Sequence, residues 1–343
     1  MGPRPHVIPS LPLAAAALMV LTACATTFLP GGGPCRSDGP IVALPPEVPE
    51  SSGVAPGVLG PDDVPGSSFF WTHNDSGWDP VLFAVSLDGE LLGEVRVQGA
   101  ANVDWEDLAA MDWEGMPAVS WKGMAAVDRE DFSAAPCGSQ RCLYIADTGD
   151  NLERRDDPAI YRIAEPHPND SVSLPAQRFP LRLPHGPRDI EAMVILPGEE
   201  LLLITKGRNH PVEVYRSPGP LSDALARTAD GAIPLERVQR LTTSPPGLPR
   251  MVTGAGVDAR GSLVAVRTYE TLHFYRLELD SRDGPLVPVS PGTVNLRSLR
   301  EPQGEAVAFV PADGDGVRRL VLTSEAGPWG SQGQMTTLRC ELP

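Results

Sequence analysis

The chain carries a five-fold repeat, and this repeat limits the folds open to it. Each unit begins with a short acidic or hydroxyl-bearing segment that runs into small and apolar residues, and it later contains an alternating strand that ends in a polar cluster. The opening segments are residues 50–55, 106–110, 191–194, 253–257 and 305–309. The matching closing segments are residues 69–77 (FFWTHNDSG), 143–151 (LYIADTGDN), 202–209 (LLITKGRN), 263–270 (LVAVRTYE) and 320–327 (LVLTSEAG).

Further short strands follow each closing segment, as in residues 82–87 and 91–97, which a turn at Asp88-Gly89 separates. Units of several short strands that recur with a period of roughly 50 to 85 residues indicate a radial array. We therefore predict an all-β fold, a β-propeller with four-stranded antiparallel blades, and we favour five blades over six. The alternative sixth blade would lie within residues 115–140 or 217–243.

The N-terminus resembles a bacterial lipoprotein signal. Arg4 precedes an apolar stretch over residues 11–21, and Leu21-Thr22-Ala23-Cys24 is similar to a lipobox. The resemblance implies that residues 1–23 are removed and that Cys24 becomes the lipid-bearing first residue; an ordinary secretory signal cut elsewhere is the alternative. Residues 24–48, rich in Gly and Pro, are predicted to be a tether, and residues 49–343 the propeller domain. The expected location is the periplasmic or cell-surface side of a bacterial membrane.

The formal net charge of −16 bears on the choice of partner. Nucleic acids and anionic lipid surfaces are bound through basic patches, so nucleic acid is excluded as an expected partner. The membrane is expected to be reached through the N-terminal lipid alone. The remaining partner is an unidentified small molecule or an envelope protein, and the acidity also suits divalent cations.

Apart from Cys24, the chain has four cysteines, an even number that fits disulfides in an exported protein. Three pairings are open. We favour Cys137 with Cys142, which closes a short loop, and Cys35 with Cys340, which ties the start of the body to its end. A zinc site is the alternative, but the spacing does not match paired zinc motifs.

The strings WTHNDSG, DWEDLA, LYIADTGDN, DIEAM, VTGAG and GEAVAF occur in this order between residues 49 and 327. Together they resemble a family of exported bacterial lipoproteins that are similar to phytase-like and esterase-like propellers. The resemblance implies a propeller fold and export. It implies no activity, since close members of the family have none that could be carried over.

In a propeller blade the first strand begins and the second strand ends on the same face, near the central channel. The opening and closing segments should therefore bring Glu50, Glu106, Asp107, Glu191 and Glu305 together with Asp75, Asp147, Asp150 and Glu325. Crowded carboxylates repel one another unless a positive charge lies between them, and carboxylate oxygens are the ligands that calcium prefers. The predicted metal ligands, for calcium as the expected ion, are Glu106, Asp107, Asp147, Asp150, Glu191 and Glu305. The alternative is that these acids accept backbone N–H bonds and lock neighbouring blades.

Other polar residues of the closing segments are predicted to bind a ligand: His73, Asn74, Asp75, Lys206, Arg208, Arg267 and Glu325. Residues 147–151 resemble part of a calcium loop, although the twelve-residue EF-hand pattern is absent. Trp71, Trp78, Trp105 and Trp113 would either stack on a sugar or pack between blades.

No Gly-x-Ser-x-Gly elbow, zinc-protease motif or complete dinucleotide fingerprint occurs, so we expect no nucleotide cofactor. The leading hypothesis is a binding or scaffold module with a divalent cation in an acidic funnel. One alternative is a calcium-dependent, phytase-like phosphoesterase in which Lys206, Arg208 and Arg267 bind phosphate. The other is a cell-envelope factor that assembles with another protein.

Overall fold

The computed structural model describes Gly2 and residues 33–58, 69–111, 137, 141–310 and 317–342. Cys24, Trp113, the predicted signal peptide apart from Gly2 and most of the segment 115–140 lie outside the described residues. The predictions made for them therefore remain predictions.

Short strands make up almost all of the regular structure, as the alternating sequence pattern predicts. The elements include one short helix, α1 (Leu221–Ala226), and 3-10 turns at Leu248–Arg250, Arg297–Leu299 and Pro328–Gly330. None of the helices in the described ranges combines the length and apolarity that crossing a membrane requires. The strands in chain order are β1 (Cys35–Ser37), β2 (Val42–Ala43), β3 (Ser51–Pro56), β4 (Phe69–Asn74), β5 (Val81–Ser86), β6 (Leu91–Arg96), β7 (Trp105–Met111), β8 (Cys142–Asp147), β9 (Ala159–Ala164), β10 (Gln177–Arg182), β11 (Ile190–Leu196), β12 (Glu200–Thr205), β13 (Glu213–Arg216), β14 (Ile233–Pro234), β15 (Glu236–Arg240), β16 (Val252–Val257), β17 (Leu263–Thr268), β18 (Thr271–Leu277), β19 (Leu286–Asn295), β20 (Gln303–Val310), β21 (Arg318–Glu325) and β22 (Gln334–Cys340).

These strands form five small sheets that are arranged as the blades of a propeller, which confirms the predicted fold and the five-blade count. From the centre outward, blade 1 is β3-β4-β5-β6, blade 2 is β7-β8-β9-β10, blade 3 is β11-β12-β13-β15 and blade 4 is β16-β17-β18-β19. Blade 5 is β20-β21-β22-β1. The inner strands β3, β7, β11, β16 and β20 each contact the next, and β20 contacts β3, so the ring is closed.

Blade 5 is completed by the N-terminal part of the described chain. β1 pairs with β22 in antiparallel register, with Cys35 opposite Cys340, and the two cysteines form the predicted disulfide. β2 pairs with β22 as well. The boundary predicted at residue 48 is therefore wrong, because residues 35–43 supply strands of the propeller; the Gly and Pro content of the segment hid two very short strands. The second predicted disulfide, Cys137 to Cys142, is also present.

The segment 217–243, where a sixth blade was the alternative, is divided between two existing blades. Strand β14 adds to β10 of blade 2 in parallel, and β15 is the outer strand of blade 3. Helix α1 packs its buried Leu221 and Ala224 between these blades.

The hydrophobic core consists of five clusters, and each lies between two consecutive blades. Between blades 1 and 2, for example, Trp71 and Ala84 pack against Trp105 and Ile145. Burial of a large apolar side chain contributes about 1.5 to 3 kcal/mol, so these contacts hold the blades together around the ring.

Small residues in the inner strands allow the blades to approach one another near the axis. A Cβ atom on Gly254 would lie 2.8 Å from the backbone oxygen of Glu305 in the next blade. The small residues of the opening segments are thus explained by the packing of strand against strand. The functional groups at the centre of the ring are supplied by the polar residues beside them.

Candidate functional site

Each inner strand has a bulge near its start, at the end of the ring that we call the top face. The register shifts after Ser51, Trp105, Ile190, Val252 and Gly304. A bulge turns one side chain away from the alternating pattern of the strand. The bulge residues are Ser52, Glu106, Glu191, Thr253 and Glu305, all of them buried.

The residue of blade 1 at this equivalent position is Ser52, and the sequence-based assignment of Glu50 to it is wrong. Glu50 comes before β3, and its backbone N–H donates to Asn74 Oδ1 at 3.0 Å. The bulge shifts the register by one residue relative to a regular strand, which the sequence pattern did not reveal.

The two hydroxyl-bearing bulge residues lock blades together. Ser52 Oγ donates to the backbone oxygen of Glu106 at 3.0 Å, and Thr253 Oγ1 donates to that of Glu305 at 2.9 Å. In both cases the acceptor belongs to the next blade. The two short side chains therefore link neighbouring blades by donating to backbone oxygens, while the longer glutamates extend into a shared polar cluster.

We call this cluster the acidic funnel. Asp104 and Asp189 lie two residues before Glu106 and Glu191, and Asp75 and Glu325 lie at the ends of the second strands β4 and β21. Among the described residues, the cations bound to funnel acids are Lys206, with Nζ 2.5 Å from Glu191 Oε1, and Arg208, with Nε 3.3 Å from Asp189 Oδ2. The acids of the funnel are Glu50, Asp75, Asp104, Glu106, Asp189, Glu191, Glu305 and Glu325.

Two groups of three carboxylates in the funnel could hold a metal ion, and they share Glu106. One is Asp75, Asp104 and Glu106, and the other is Glu106, Asp189 and Glu191; within each group the ligand oxygens lie within 4.8 Å of one another. Lys206 already neutralises part of the second group. The charge of Lys206 also acts on Asp75 and Glu106, but within the described ranges no cationic side chain forms an ion pair with a member of the first group, and no hydrogen bond reaches the buried Oδ1 atom of Asp104.

The backbone of the closing segment of blade 2 approaches this group closely. A Cβ atom on Gly149 would lie 2.0 Å from Glu106 Oε1 and 2.5 Å from Asp104 Oδ2. A side chain at this position would displace one or both carboxylates, so Gly149 permits the two acids to pack beneath the loop.

Burial and mutual repulsion alter the ionisation of the funnel. Burial, followed by the charge of Asp75, raises the pKa of Asp104 to about 7, and burial with the charges of Asp75 and Glu50 raises the pKa of Glu325 to about 7. Burial raises the pKa of Glu106, Glu191 and Glu305 well above the usual range of a glutamate. Burial lowers the pKa of Lys206. The negative charges around it, chiefly those of Glu191 and Glu106, together have the larger effect, so the net change is a raised pKa.

Asp107 lies beneath the funnel, and both of its carboxylate oxygens accept hydrogen bonds from backbone N–H groups. Oδ1 accepts from Leu108 N at 2.8 Å, and Oδ2 accepts from Met193 N at 2.7 Å and Ala255 N at 3.2 Å. These donors belong to blades 2, 3 and 4. Asp107 was predicted to bind metal; it is in neither three-carboxylate group and instead ties the inner strands together.

His73 is also fully buried and lies next to Asp107 rather than in the funnel. Its Nδ1 atom lies 3.1 Å from the backbone oxygen of Asn74, and its ring packs edge-on against Trp105 at 5.4 Å. Burial lowers the pKa of His73 to about 4, so the imidazole is neutral at pH 7. Asn74, another predicted ligand-binding residue, donates its side-chain N–H to the Glu47 backbone oxygen at 2.9 Å.

Asp147 and Asp150 serve the loop that carries Gly149. Asp147 Oδ1 lies 2.9 Å from Arg155 Nη2, and it accepts from Asp104 N at 3.0 Å. Asp150 Oδ2 accepts from Arg155 N at 2.6 Å. Neither belongs to a three-carboxylate group, so the partial resemblance to a calcium loop reflects a turn that positions Asp104.

The three cations predicted to bind phosphate each contact a carboxylate, and Arg267 does so outside the funnel. Arg267 is completely buried between blades 4 and 5, where Nη2 lies 2.5 Å from Glu301 Oε2 and Nη1 donates to the backbone oxygens of Ala306 and Thr323. Arg208 lies at the rim and donates to Asn151 Oδ1 and Asp189. The third, Lys206, is inside the funnel and is bound to Glu191.

Trp71 and Trp105 are buried between blades, which favours the packing alternative for both. Trp78 differs: the residue is 45% exposed, on the loop that begins with Asp75. Its Nε1 donates to Glu50 Oε2 at 2.5 Å.

Sequence reasoning did not select Asp104, Asp189 and Tyr269 as site residues. Burial, together with the charge of Glu305, raises the pKa of Tyr269, which lies beside Lys206. A signal for the two aspartates was present, because Asp104-Trp105-Glu106 and Asp189-Ile190-Glu191 repeat one acid-x-Glu pattern at the start of two inner strands.

The opposite end of the channel opens into an apolar cavity of about 180 Å³. Equivalent residues of the five inner strands line it: Val54, Leu108, Met193, Ala255 and Val307. The channel therefore has an acidic end and an apolar end, and Asp107 lies between them.

No family model and no curated protein matches the chain. Among solved structures, it is similar to a glucose dehydrogenase (12% identity, TM-score 0.43, covering 89% of this chain and 100% of that one). It is also similar to the major Malassezia sympodialis allergen Mala s 1 (9% identity, TM-score 0.45, 79% and 89% covered) and to a candidate phosphatase of Bacteroides thetaiotaomicron (9% identity, TM-score 0.43, 83% and 59% covered). Likeness at this level carries no inference about activity.

Replacing Asp107 by alanine should lower the free energy of unfolding by about 3 kcal/mol or more, because it leaves three buried N–H groups without an acceptor. Urea denaturation followed by tryptophan fluorescence measures the change. Asp79→Ala is the control: Asp79 is an exposed acid on the same face and should cost less than about 0.5 kcal/mol. Equal losses in the two variants would contradict the role given to Asp107.

Without divalent cations, the protein should lose stability as the pH rises from about 4 to above 7. The raised pKa values of Asp104 and Glu325 mean that the folded state holds protons that the unfolded state has released, so deprotonation disfavours folding. Thermal midpoints in chelator at pH 5 and pH 8 measure this dependence. Asp104→Asn should make the dependence shallower, whereas Asp79→Asn should not.

Proposed function

We propose that the chain is an exported, lipid-anchored binding propeller whose acidic funnel holds a divalent cation, with calcium as the best fit. The observation that carries the proposal is the group Asp75, Asp104 and Glu106, whose oxygens converge and form no ion pair with a cationic side chain in the part of the chain that the structure describes. Carboxylate oxygens on strands and short loops suit calcium, which accepts six to eight oxygen ligands in a flexible geometry.

The energetic cost of the funnel supports the same proposal. Burying carboxylates beside one another is unfavourable unless they are protonated or paired with a cation. Lys206 supplies one positive charge to a cluster with many more acids. A bound divalent ion between Asp75, Asp104 and Glu106 would remove repulsion that the described residues leave unbalanced.

Binding is proposed in preference to phosphate hydrolysis. A phosphoesterase needs cationic groups that are available to phosphate, but Lys206, Arg208 and Arg267 each contact a carboxylate. The assembly of this chain with an envelope protein is compatible with a cation-stabilised top face and would be a use of the same binding module.

Calcium should raise the thermal midpoint of the purified full chain over that measured in chelator. At a hundredfold excess over Kd, the stabilisation is about 2.7 kcal/mol, which for a protein of this size corresponds to a rise of roughly 4 °C. Differential scanning calorimetry with calcium, magnesium or zinc added in turn measures the rise. Asp104→Asn should lose it and Asp79→Asn should keep it.

A midpoint that no cation changes would overturn the metal site. A rise that persists in Asp104→Asn would place the ion elsewhere in the funnel or outside it.

Membrane attachment is proposed from the lipobox-like segment that ends at Cys24. Replacing Cys24 by serine should move the protein from the membrane fraction to the soluble exported fraction, because no acyl chain can be added. Fractionation, with mass spectrometry of the N-terminal peptide, tests this. A wild-type N-terminus without lipid would instead support an ordinary secretory signal.

A further inference from the structure

The acidic funnel has a rim that neither three-carboxylate group uses. Glu50 and Glu325 belong to neither group, and no ion pair within the described ranges involves either residue. The backbone brings them to one side of the funnel: Ala326 N donates to Pro49 O at 2.6 Å, and Asp75 N donates to Glu50 O at 2.9 Å.

Trp78 adds an aromatic surface to this rim. The residue is 45% exposed, in contrast to the fully buried Trp71 and Trp105. The ring is held in place by its hydrogen bond to Glu50, which engages the N–H edge and leaves ring surface open to solvent. An exposed indole that is fixed at one edge presents a preorganised face to a ligand.

This ring lies beside carboxylates that form no ion pair within the described ranges, and the combination favours a positively charged ligand. The face of an indole carries negative electrostatic potential and attracts organic cations, and the attraction increases when the site is partly shielded from water. Two nearby carboxylates add attraction of the same sign. A neutral ring such as a sugar would stack on Trp78 but would gain nothing from the net charge of the rim.

We propose that Trp78, Glu50 and Glu325 form a subsite for a small organic cation, an amine or a quaternary ammonium compound, on the rim of the acidic funnel. The subsite is separate from the group proposed to hold calcium and does not require that ion. It extends the function of the propeller from binding a metal ion to binding an organic ligand at the top face.

Calorimetric titration of the purified full chain in chelator tests the proposal with choline as the probe. Its neutral isostere, 3,3-dimethyl-1-butanol, has the same shape without the charge and should bind at least tenfold more weakly. Trp78→Ala should weaken choline binding about tenfold, since it removes the cation–π contact. Glu325→Gln, which leaves Trp78 and Glu50 in place, should weaken it about fivefold.

The matched control is Leu152→Ala, since Leu152 is an exposed apolar residue on another top-face loop. It should bind choline as the wild type does. Equal binding of choline and its isostere, no binding of choline by the wild type, or equal effects of Trp78→Ala and Leu152→Ala would overturn the proposal.

The calcium-dependent midpoint of Trp78→Ala separates this proposal from the previous one. A variant that keeps the calcium response and loses choline supports the rim subsite as a separate site. If the wild type shows no calcium response yet binds choline, only the metal proposal fails.

Discussion

The carboxylate of Asp107 is the interaction on which the centre of this propeller depends. It accepts backbone N–H bonds from Leu108, Met193 and Ala255, residues of three different blades. A buried carboxylate is costly unless its oxygens are satisfied, and backbone donors satisfy it without adding charge to the site. Because these donors are fixed by their strands, the carboxylate also sets how closely the inner strands approach the axis.

Asp107 also divides the channel. Above it, the bulge residues Glu106, Glu191 and Glu305 build an acidic funnel, and below it the next residues of the same strands line an apolar cavity. The bulges produce this change from an acidic to an apolar lining. Each bulge turns one polar side chain towards the top face, and the regular alternation of side chains resumes in the residues that follow. One irregularity repeated around the ring therefore creates two different surfaces.

Much of this arrangement was predictable from sequence, because the same opening and closing segments recur in every blade. The repeat indicated five blades, and the convergence of strand ends indicated the acidic face. The bulge was not predictable from alternation, so Glu50 was placed where Ser52 lies. Interactions between blades were hidden as well: nothing near Arg267 in the sequence shows that it meets Glu301, and nothing near Asp107 shows that its partners lie in blades 3 and 4. Strand β1 was not predicted, because a strand of three residues is too short to show an alternating pattern.

The charge balance of the funnel decides which ligands it favours. A fold can satisfy buried acids with backbone N–H groups, as it does at Asp107, or with arginine, as it does at Asp147. At Asp75, Asp104 and Glu106 the described residues provide less: Ser76 N donates to Asp75 Oδ1 at 2.5 Å, while the side chains of Arg155 and Arg208 on neighbouring loops are directed to other partners. Buried carboxylates repel one another when no protein group neutralises them. Such clusters are characteristic of sites where a ligand supplies the missing positive charge. An anionic substrate would add to that repulsion, so the top face is electrostatically suited to cations.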